Sequence, residues 1–201
     1  MLLFLRDQGP TEVGGFGITP PDDLLYVEDV RLVRQRCTVV SVAFDDLAVA
    51  EFFDEQVDAG RRPEQFGRLW IHTHPGDSAR PSPLDEETFQ RIFGGCDWAL
   101  MLILAREGQR YCRLQFRVRP GGAFEIPTQV DFRRDFPQAD FEAWAHEYAT
   151  TVWPAEFGKG DTPLDDFWIE EPRPVDMFRP SCELRGTTNF EEDSSSHDQP
   201  I

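Results

Sequence analysis

"WIHTHPGDSARPSPLDEET" (residues 70–88) contains the end of a predicted strand, a loop and the start of a predicted helix, and it carries two of the four histidines. Side chains two residues apart on a strand point to the same face, so His72 and His74 project together. Pro75 ends the strand, and Asp85 lies in the first turn of the helix that follows. The stretch therefore predicts two imidazoles and a carboxylate at one end of a strand.

These three side chains are candidate metal ligands. Neutral imidazole nitrogens and carboxylate oxygens bind zinc, and three protein ligands plus one open position are typical of a catalytic zinc site. His72, His74 and Asp85 would thus hold one Zn²⁺ per chain. A structural explanation stands beside this one, since His-x-His also occurs without a metal and Ser82 with Asp85 fits a helix capping box. Spacing alone leaves both open. The two other histidines are predicted to be surface residues: His146 and His197.

Strands and helices alternate around this stretch, which predicts an α/β (α+β) fold with a mixed sheet flanked by helices. β-branched and apolar runs or alternating patterns indicate strands at 37–44, 67–74, 98–105 and 111–118. Apolar periodicity and capping residues indicate helices at 45–60 and 82–95, the second with Ser82 at its N-cap and Pro83 at its first position. The apolar start "MLLFL" (1–5) is also typical of a strand.

Composition narrows the class of partner and the cellular location. The 201 residues carry a formal net charge of −17, which argues against binding to nucleic acid or to anionic membranes. The apolar start is too short for a signal-peptide core, and no run approaches the length of a membrane span. The four cysteines are widely spaced, as reduced thiols would be. We therefore expect a cytoplasmic location.

The sequence changes character near Asp131. Residues 131–201 carry a net charge of −11, against −6 for residues 1–130. We predict a core-forming domain at 1–130, an acidic, aromatic-rich extension at 131–185 and a disordered tail at 186–201. The extension contains one amphipathic helix at 140–153, with an apolar stripe expected to pack on the first domain. It is either a stabilising wrap, which we favour, or a partner-binding arm.

The pattern H-x-H-P-x(6)-S-x-x-D, from His72 to Asp85, resembles the motif of the JAMM (JAB/MPN+) zinc metalloproteases throughout its spacing. Upstream, "TEVGGFGI" (11–18) resembles the stretch of that family that contains a glutamate, which places the glutamate at Glu12. The resemblance covers roughly residues 10–120, is closest in character to the prokaryotic JAB-domain deubiquitinase-like branch, and implies that residues 1–130 form the catalytic domain, with a JAB/MPN-like sheet. The region after Asp131 has no counterpart in it.

The resemblance also implies roles for five residues. His72, His74 and Asp85 would bind the zinc ion, Glu12 would accept a proton from the attacking water and return it to the leaving amine, and Ser82 would donate a hydrogen bond to the oxyanion. Two other glutamates are less favoured candidates for the role of Glu12: Glu28 and Glu51.

Members of the family typically cleave isopeptide or peptide bonds after the C-terminal tail of a ubiquitin-like protein, and prokaryotic relatives often accompany E1/E2-like activating and conjugating enzymes. The resemblance thus implies a zinc isopeptidase that acts on a ubiquitin-like protein or its conjugates, in deconjugation or in precursor maturation. Two other functions remain open. One is a non-catalytic MPN-type scaffold or interaction protein, and the other is a small-molecule zinc hydrolase.

Overall fold

A computed structural model describes residues 1–135 and 137–155 as a mixed α+β structure, which confirms the predicted fold class. The helices and strands are α1 Leu2–Gln8, β1 Val13–Ile18, β2 Asp29–Arg31, β3 Gln35–Cys37, β4 Val42–Phe44, α2 Asp46–Asp58, β5 Leu69–Thr73, α3 Pro83–Phe93, β6 Trp98–Leu104, β7 Arg110–Phe116, β8 Gly122–Glu125, α4 Phe141–Thr151 and β9 Val152–Pro154. Short 3₁₀ turns occupy Pro63–Gln65 and Arg106–Gly108. None of the helices in these ranges is long and apolar enough to cross a membrane.

The larger sheet has six strands in the order β2-β1-β5-β6-β7-β8. Its one parallel pair is β5 with β6, and the other neighbours are antiparallel. Parallel strands need a crossover connection, and α3 supplies it here. His72 pairs with Gly14 on one side and with Ile103 on the other, so β5 lies inside the sheet. The loop that follows β5 therefore begins at the end of a strand that is hydrogen-bonded to neighbours on both sides.

A smaller sheet has the order β4-β3-β9, with β3 antiparallel to β4 and parallel to β9. The Gln35 side chain joins it to the larger sheet. Its Oε1 accepts a hydrogen bond from the Gly14 amide at 2.8 Å, and its Nε2 donates to the Gly14 carbonyl at 2.7 Å. The buried Gln35 amide thus makes the two hydrogen bonds to Gly14 that a neighbouring strand would otherwise make. The position of the start of β1 therefore depends on β3.

The main core lies on the face of the large sheet that carries the histidines, under α2 and α3. Aromatic rings fill it: Phe16 stacks on Phe52 with ring centroids 5.1 Å apart, and Trp70 stacks on Phe93 at 6.5 Å. Rings of this size supply most of the apolar area of a small core. On the opposite face a smaller cluster surrounds Leu69 and Leu100. The site-bearing face is therefore the more heavily packed one.

Most of the predicted elements near the motif are confirmed within a few residues. The predicted helices at 45–60, 82–95 and 140–153 correspond to α2, α3 and α4, and the predicted strands at 67–74, 98–105 and 111–118 correspond to β5, β6 and β7. Ser82 is the N-cap of α3 and Pro83 is its first residue, as predicted. The predicted arm beyond residue 155 and the disordered tail at 186–201 lie outside the described residues.

Two predicted strands are wrong. Residues 2–8 form the helix α1, whose Phe4 ring packs against Phe141 and Trp144 of α4, a partner that the local sequence does not reveal. The predicted strand 37–44 is two strands, β3 and β4, joined by a turn. The Thr38 amide donates to the Ser41 carbonyl at 3.0 Å and their hydroxyls lie 2.8 Å apart. This pairing overrides the strand propensity of the valines within the turn.

Candidate metal centre

Two carboxylates and two imidazoles, carried by Glu12 and by three residues within 72–85, converge at the end of β5. Glu12 directly precedes β1, His72 belongs to β5, His74 follows it, and Asp85 lies in the first turn of α3. One ligand atom from each of the four lies within 4.8 Å of the others, and all four residues are buried. The structure thus brings together every acidic or imidazole residue that the sequence predicted for the site.

The ligand atoms face one another without hydrogen-bonding. His72 Nε2 lies 3.3 Å from Asp85 Oδ1, while His74 Nε2 lies 3.4 Å from Asp85 Oδ2 and 3.5 Å from Glu12 Oε1. Among the described residues neither ring nitrogen of His72, nor His74 Nε2, nor Glu12 Oε2 has a hydrogen-bond partner. Buried polar atoms nearly always have one. Lone pairs that are buried, unpartnered and convergent form a cluster that could hold a metal ion.

The tautomer of His74 follows from its second nitrogen. His74 Nδ1 lies 2.8 Å from the backbone carbonyl of Ser78, and a carbonyl can only accept a hydrogen bond. Nδ1 therefore carries a proton, which leaves Nε2, the nitrogen that faces the two carboxylates, as the one that would bind a metal ion. A ligating histidine usually donates its other N–H to a carbonyl or a carboxylate in this way. The loop after Pro75 thus prepares His74 as a ligand.

The ring of His72 is fixed by stacking. Trp70, two residues earlier on the same face of β5, lies against it with ring centroids 4.1 Å apart and an interplanar angle of 24°. Phe89 and Phe93 of α3 hold the other side of the indole. His72 is fully buried, and its orientation is set by the aromatic core.

Asp85 belongs to a complete capping box. The Asp85 amide donates to Ser82 Oγ at 3.2 Å, and the Ser82 amide donates to Asp85 Oδ2 at 2.6 Å. The structural explanation of this pair is therefore correct, and it is compatible with metal binding because Oδ1 still faces His72. The box also leaves the hydroxyl proton of Ser82 unused, since Oγ only accepts within it.

Burial and charge shift the pKa values of the cluster in different directions. Burial raises the pKa of Glu12 to about 8, with His74 opposing that rise and Asp85 adding to it. Burial also acts to raise the pKa of Asp85, but the two histidines outweigh it and hold that pKa well below its usual range. Burial lowers the pKa of His72, whereas for His74 the neighbouring carboxylates outweigh burial and raise it.

The charge balance of the cluster suits a cation. The ion pairs that Glu12 and Asp85 make in the described structure are all with the two histidines. Buried carboxylates are costly without a compensating charge, and a divalent cation is the usual source of one at such sites. Two imidazole nitrogens and one carboxylate oxygen also match the ligand set of a three-ligand zinc site.

The remaining candidate residues lie outside the cluster. Glu51 pairs with Arg34 on the surface of α2, Glu28 is in the segment before β2, and His146 is exposed on α4. His197 is outside the described residues. Two supports of the site were not predicted. The Ser78 carbonyl carries no sequence signal because any residue supplies one, and Gln35 lies before the predicted strand 37–44, in no motif.

A cleft of about 770 Å³ opens beside the cluster. One wall is the Asp77–Pro81 loop, which joins the second histidine to Ser82, and the other includes Tyr111 and the last residue of β8, Glu125. Tyr111 pairs with Ile103, which pairs with His72, so the three share one face of the sheet. None of the four cluster residues lines the cleft, which adjoins the cluster through Ser78, whose carbonyl contacts His74, and through Glu86, the residue after Asp85.

Comparison with models of known protein families gives no match for this chain, and no curated protein is significantly similar to it.

Proposed function

We propose that this protein is a zinc-dependent isopeptidase or peptidase of the JAMM type, which cleaves after the C-terminal tail of a ubiquitin-like protein. One observation carries the proposal: Glu12, His72, His74 and Asp85 converge as buried groups, and among the described residues Glu12 Oε2, His72 Nε2 and His74 Nε2 have no hydrogen-bond partner. The capped helix, the tautomer of His74 and the spacing from His72 to Asp85 add to it. A scaffold would have no need for this complete and buried set.

In the proposed reaction His72, His74 and Asp85 would hold the zinc ion. Glu12 transfers a proton, and Ser82 donates a hydrogen bond. A zinc ion so held supplies Lewis acidity, which brings the pKa of water toward about 7. Glu12 is the general base that takes a proton from the attacking water and later returns it to the leaving amine. Ser82 donates its free hydroxyl proton to the oxyanion while its oxygen caps α3.

The cleft and the sheet edge support a chain-like substrate. β8 is the outer strand of the six-stranded sheet formed by the described residues, and on that basis its outer backbone edge would suit an extended peptide. The cleft beside the cluster is large enough for several residues of a polypeptide tail. A ubiquitin-like protein or its conjugates, and through them E1/E2-like conjugation enzymes, are the proposed partners.

The first test is metal content by elemental analysis of the purified protein. We expect about one zinc per chain, reduced close to zero in His74→Ala and in Asp85→Ala. His146→Ala and Asp54→Ala are matched controls, since both residues are exposed and distant in the chain, and they should keep the metal. A wild-type protein that takes up no zinc even after reconstitution would overturn the proposal and favour the scaffold.

The second test is cleavage. A linear fusion of ubiquitin to a reporter protein and the ubiquitin tail peptide joined to a fluorogenic amine are the probes. We expect the zinc-loaded protein to cleave at the end of the tail, and Glu12→Gln to abolish cleavage while it retains zinc. If the wild type holds zinc but cleaves neither probe, the small-molecule zinc hydrolase replaces the isopeptidase as the better explanation.

A further inference from the structure

Glu12 has one side-chain contact in the cluster, from its Oε1 to His74 Nε2 at 3.5 Å. Its Oε2 is buried and has no hydrogen-bond partner among the described residues. The residue lies outside the regular strands, and its amide donates to the Thr38 carbonyl at 2.8 Å. The position of its carboxylate therefore depends on the backbone from Gly9 to Glu12, and on whatever holds that backbone.

Tyr148 of α4 lies against this backbone. A Cβ added to Gly9 would stand 2.6 Å from the Tyr148 hydroxyl oxygen, so the phenol sits directly on the Gly9 Cα. The buried side chain of Thr11, the residue before Glu12, lies near the same phenol, and its Oγ1 has no hydrogen-bond partner among the described residues. Tyr148 thus contacts Gly9 and lies near Thr11, two of the three residues that precede Glu12.

The strand after α4 supports the other side of Glu12. β9 pairs with β3 in parallel register, and the Ala155 amide donates to the Cys37 carbonyl at 2.8 Å. The next carbonyl along the chain, that of Thr38, accepts the Glu12 amide. Within α4, the Glu147 carboxylate accepts the Leu32 amide at 3.2 Å, close to the start of β3. Residues 141–155 therefore contact both backbones that fix Glu12.

We propose that residues 141–155 position Glu12, with Tyr148 as the positioning residue that acts through Gly9 and Thr11. The inference rests on the proposed function, because it gives Glu12 its role as general base. It also assigns a task to part of the acidic extension. The metal ligands are held differently, by β5, the loop containing Ser78 and α3, so the extension acts on the base and not on the metal.

Gly9 offers a direct test of the contact. Its backbone is extended, with φ −156° and ψ 177°, a conformation that alanine adopts without strain. The Tyr148 oxygen is the obstacle to a methyl group there. Gly9→Ala should therefore push the Gly9–Glu12 backbone out of place, and Tyr148→Phe, which removes that oxygen, should relieve the clash.

The first readout is the split between kcat and KM on the ubiquitin tail probe. Gly9→Ala should lower kcat about 10- to 100-fold, because small displacements of a reacting group cost that much, with KM and zinc content unchanged. Tyr148→Phe alone should lower kcat by a smaller factor than Gly9→Ala, because the ring stays in place and only the hydroxyl that contacts Gly9 is lost. In the double variant, Gly9→Ala should lower kcat little further than Tyr148→Phe alone does. Equal losses from Gly9→Ala in both backgrounds would overturn the inference, and His146→Ala serves as the unaffected control on α4.

The second readout needs no substrate. Amide hydrogen exchange of the zinc-loaded protein should show about 10-fold faster exchange at the Glu12 amide in Gly9→Ala and in Tyr148→Ala, with β5 and β6 unchanged. Unchanged exchange at Glu12, or faster exchange throughout the sheet with loss of zinc, would overturn the inference. If the wild type cleaves no ubiquitin probe, the proposed function fails, and the exchange result still decides whether α4 positions Glu12.

Discussion

The two halves of the candidate site are held in contrasting ways. His72, His74 and Asp85 lie within fourteen residues, and local features hold them: a strand, a loop carbonyl, a stacked indole and a capping box. Glu12 is sixty residues upstream of His72, and contacts from β3 and α4 hold it. On the proposed function, the metal-binding half is built locally and the half that carries the base is built from distant parts of the chain, so the two should respond differently to mutation.

The largest expected effect comes from Glu12→Gln. The amide keeps the size of the side chain but cannot serve as a base, so the rate on the ubiquitin fusion should fall about 10²- to 10⁴-fold with zinc content unchanged. Asp85→Ala should instead remove the metal and the activity together. Parallel zinc analysis and rate measurements on both variants would decide this. Loss of zinc from Glu12→Gln would show that Glu12 also holds the metal ion. The division of the site into a metal-binding half and Glu12 would then be wrong.

Ser82 allows capping and catalysis to be separated within the local half. Ser82→Ala should lose about 1 kcal/mol of unfolding free energy, because α3 loses its cap, and about 10²- to 10³-fold in kcat, because the oxyanion loses a donor. Ser82→Asp should restore the cap and the stability but not the rate, since an ionised carboxylate has no proton to donate. Urea unfolding beside kinetics measures both. Recovery of the rate in Ser82→Asp would contradict the assigned role.

In the metal-free protein, the free energy of unfolding should depend on the ionisation of the buried Glu12. Its pKa is raised from the ordinary 4.5 to about 8, so the folded protein keeps a proton that the unfolded chain releases above about pH 4.5. This contribution to stability is fully present below that pH and is lost as the pH rises to about 8. Glu12→Gln has no such proton. Wild-type stability relative to Glu12→Gln should therefore fall between about pH 5 and pH 8 in chelator, and a constant difference would contradict the prediction.

The smallest effect is expected at Glu86, the neighbour of Asp85. Glu86 receives two hydrogen bonds from Arg113 of β7, at 2.6 and 2.7 Å, but its side chain is 42% exposed. Glu86→Gln should cost less than about 1 kcal/mol, as partly exposed ion pairs do, and should leave zinc content unchanged because the capping box holds Asp85. Glu87→Gln, on the next and exposed residue, is the matched control for thermal unfolding. Loss of zinc would show that the ion pair, and not the box, orients α3.

The contrast also explains which parts of the fold were predictable. The helix from Pro83 and its N-cap at Ser82 depend on residues within one turn, so their sequence signal is complete. The helix at 2–8 depends on a partner elsewhere, the rings of α4, and the hydrogen bonds between Gln35 and Gly14 join residues 21 apart in the chain. The turn at Thr38–Ser41 is local, but its hydroxyl pairing competes with the strand propensity of the two valines within it. Distant contacts thus explain the wrong prediction at residues 2–8, and competing local signals explain the wrong prediction at 37–44.

The parallel pairing of β3 with β9 has a consequence for the order in which a newly made chain matures. The last metal ligand, Asp85, is synthesised about 70 residues before Ala155, which completes the support around Glu12. At about 5–20 residues per second, roughly 4 to 14 s separate the two events on the ribosome. The strand, loop and helix that would bind the metal ion are therefore made first, and Glu12 is fixed in place only when residue 155 has emerged. On the proposed function, a nascent chain acquires its metal-binding half before it is able to cut, which delays proteolytic activity until residue 155 has been made.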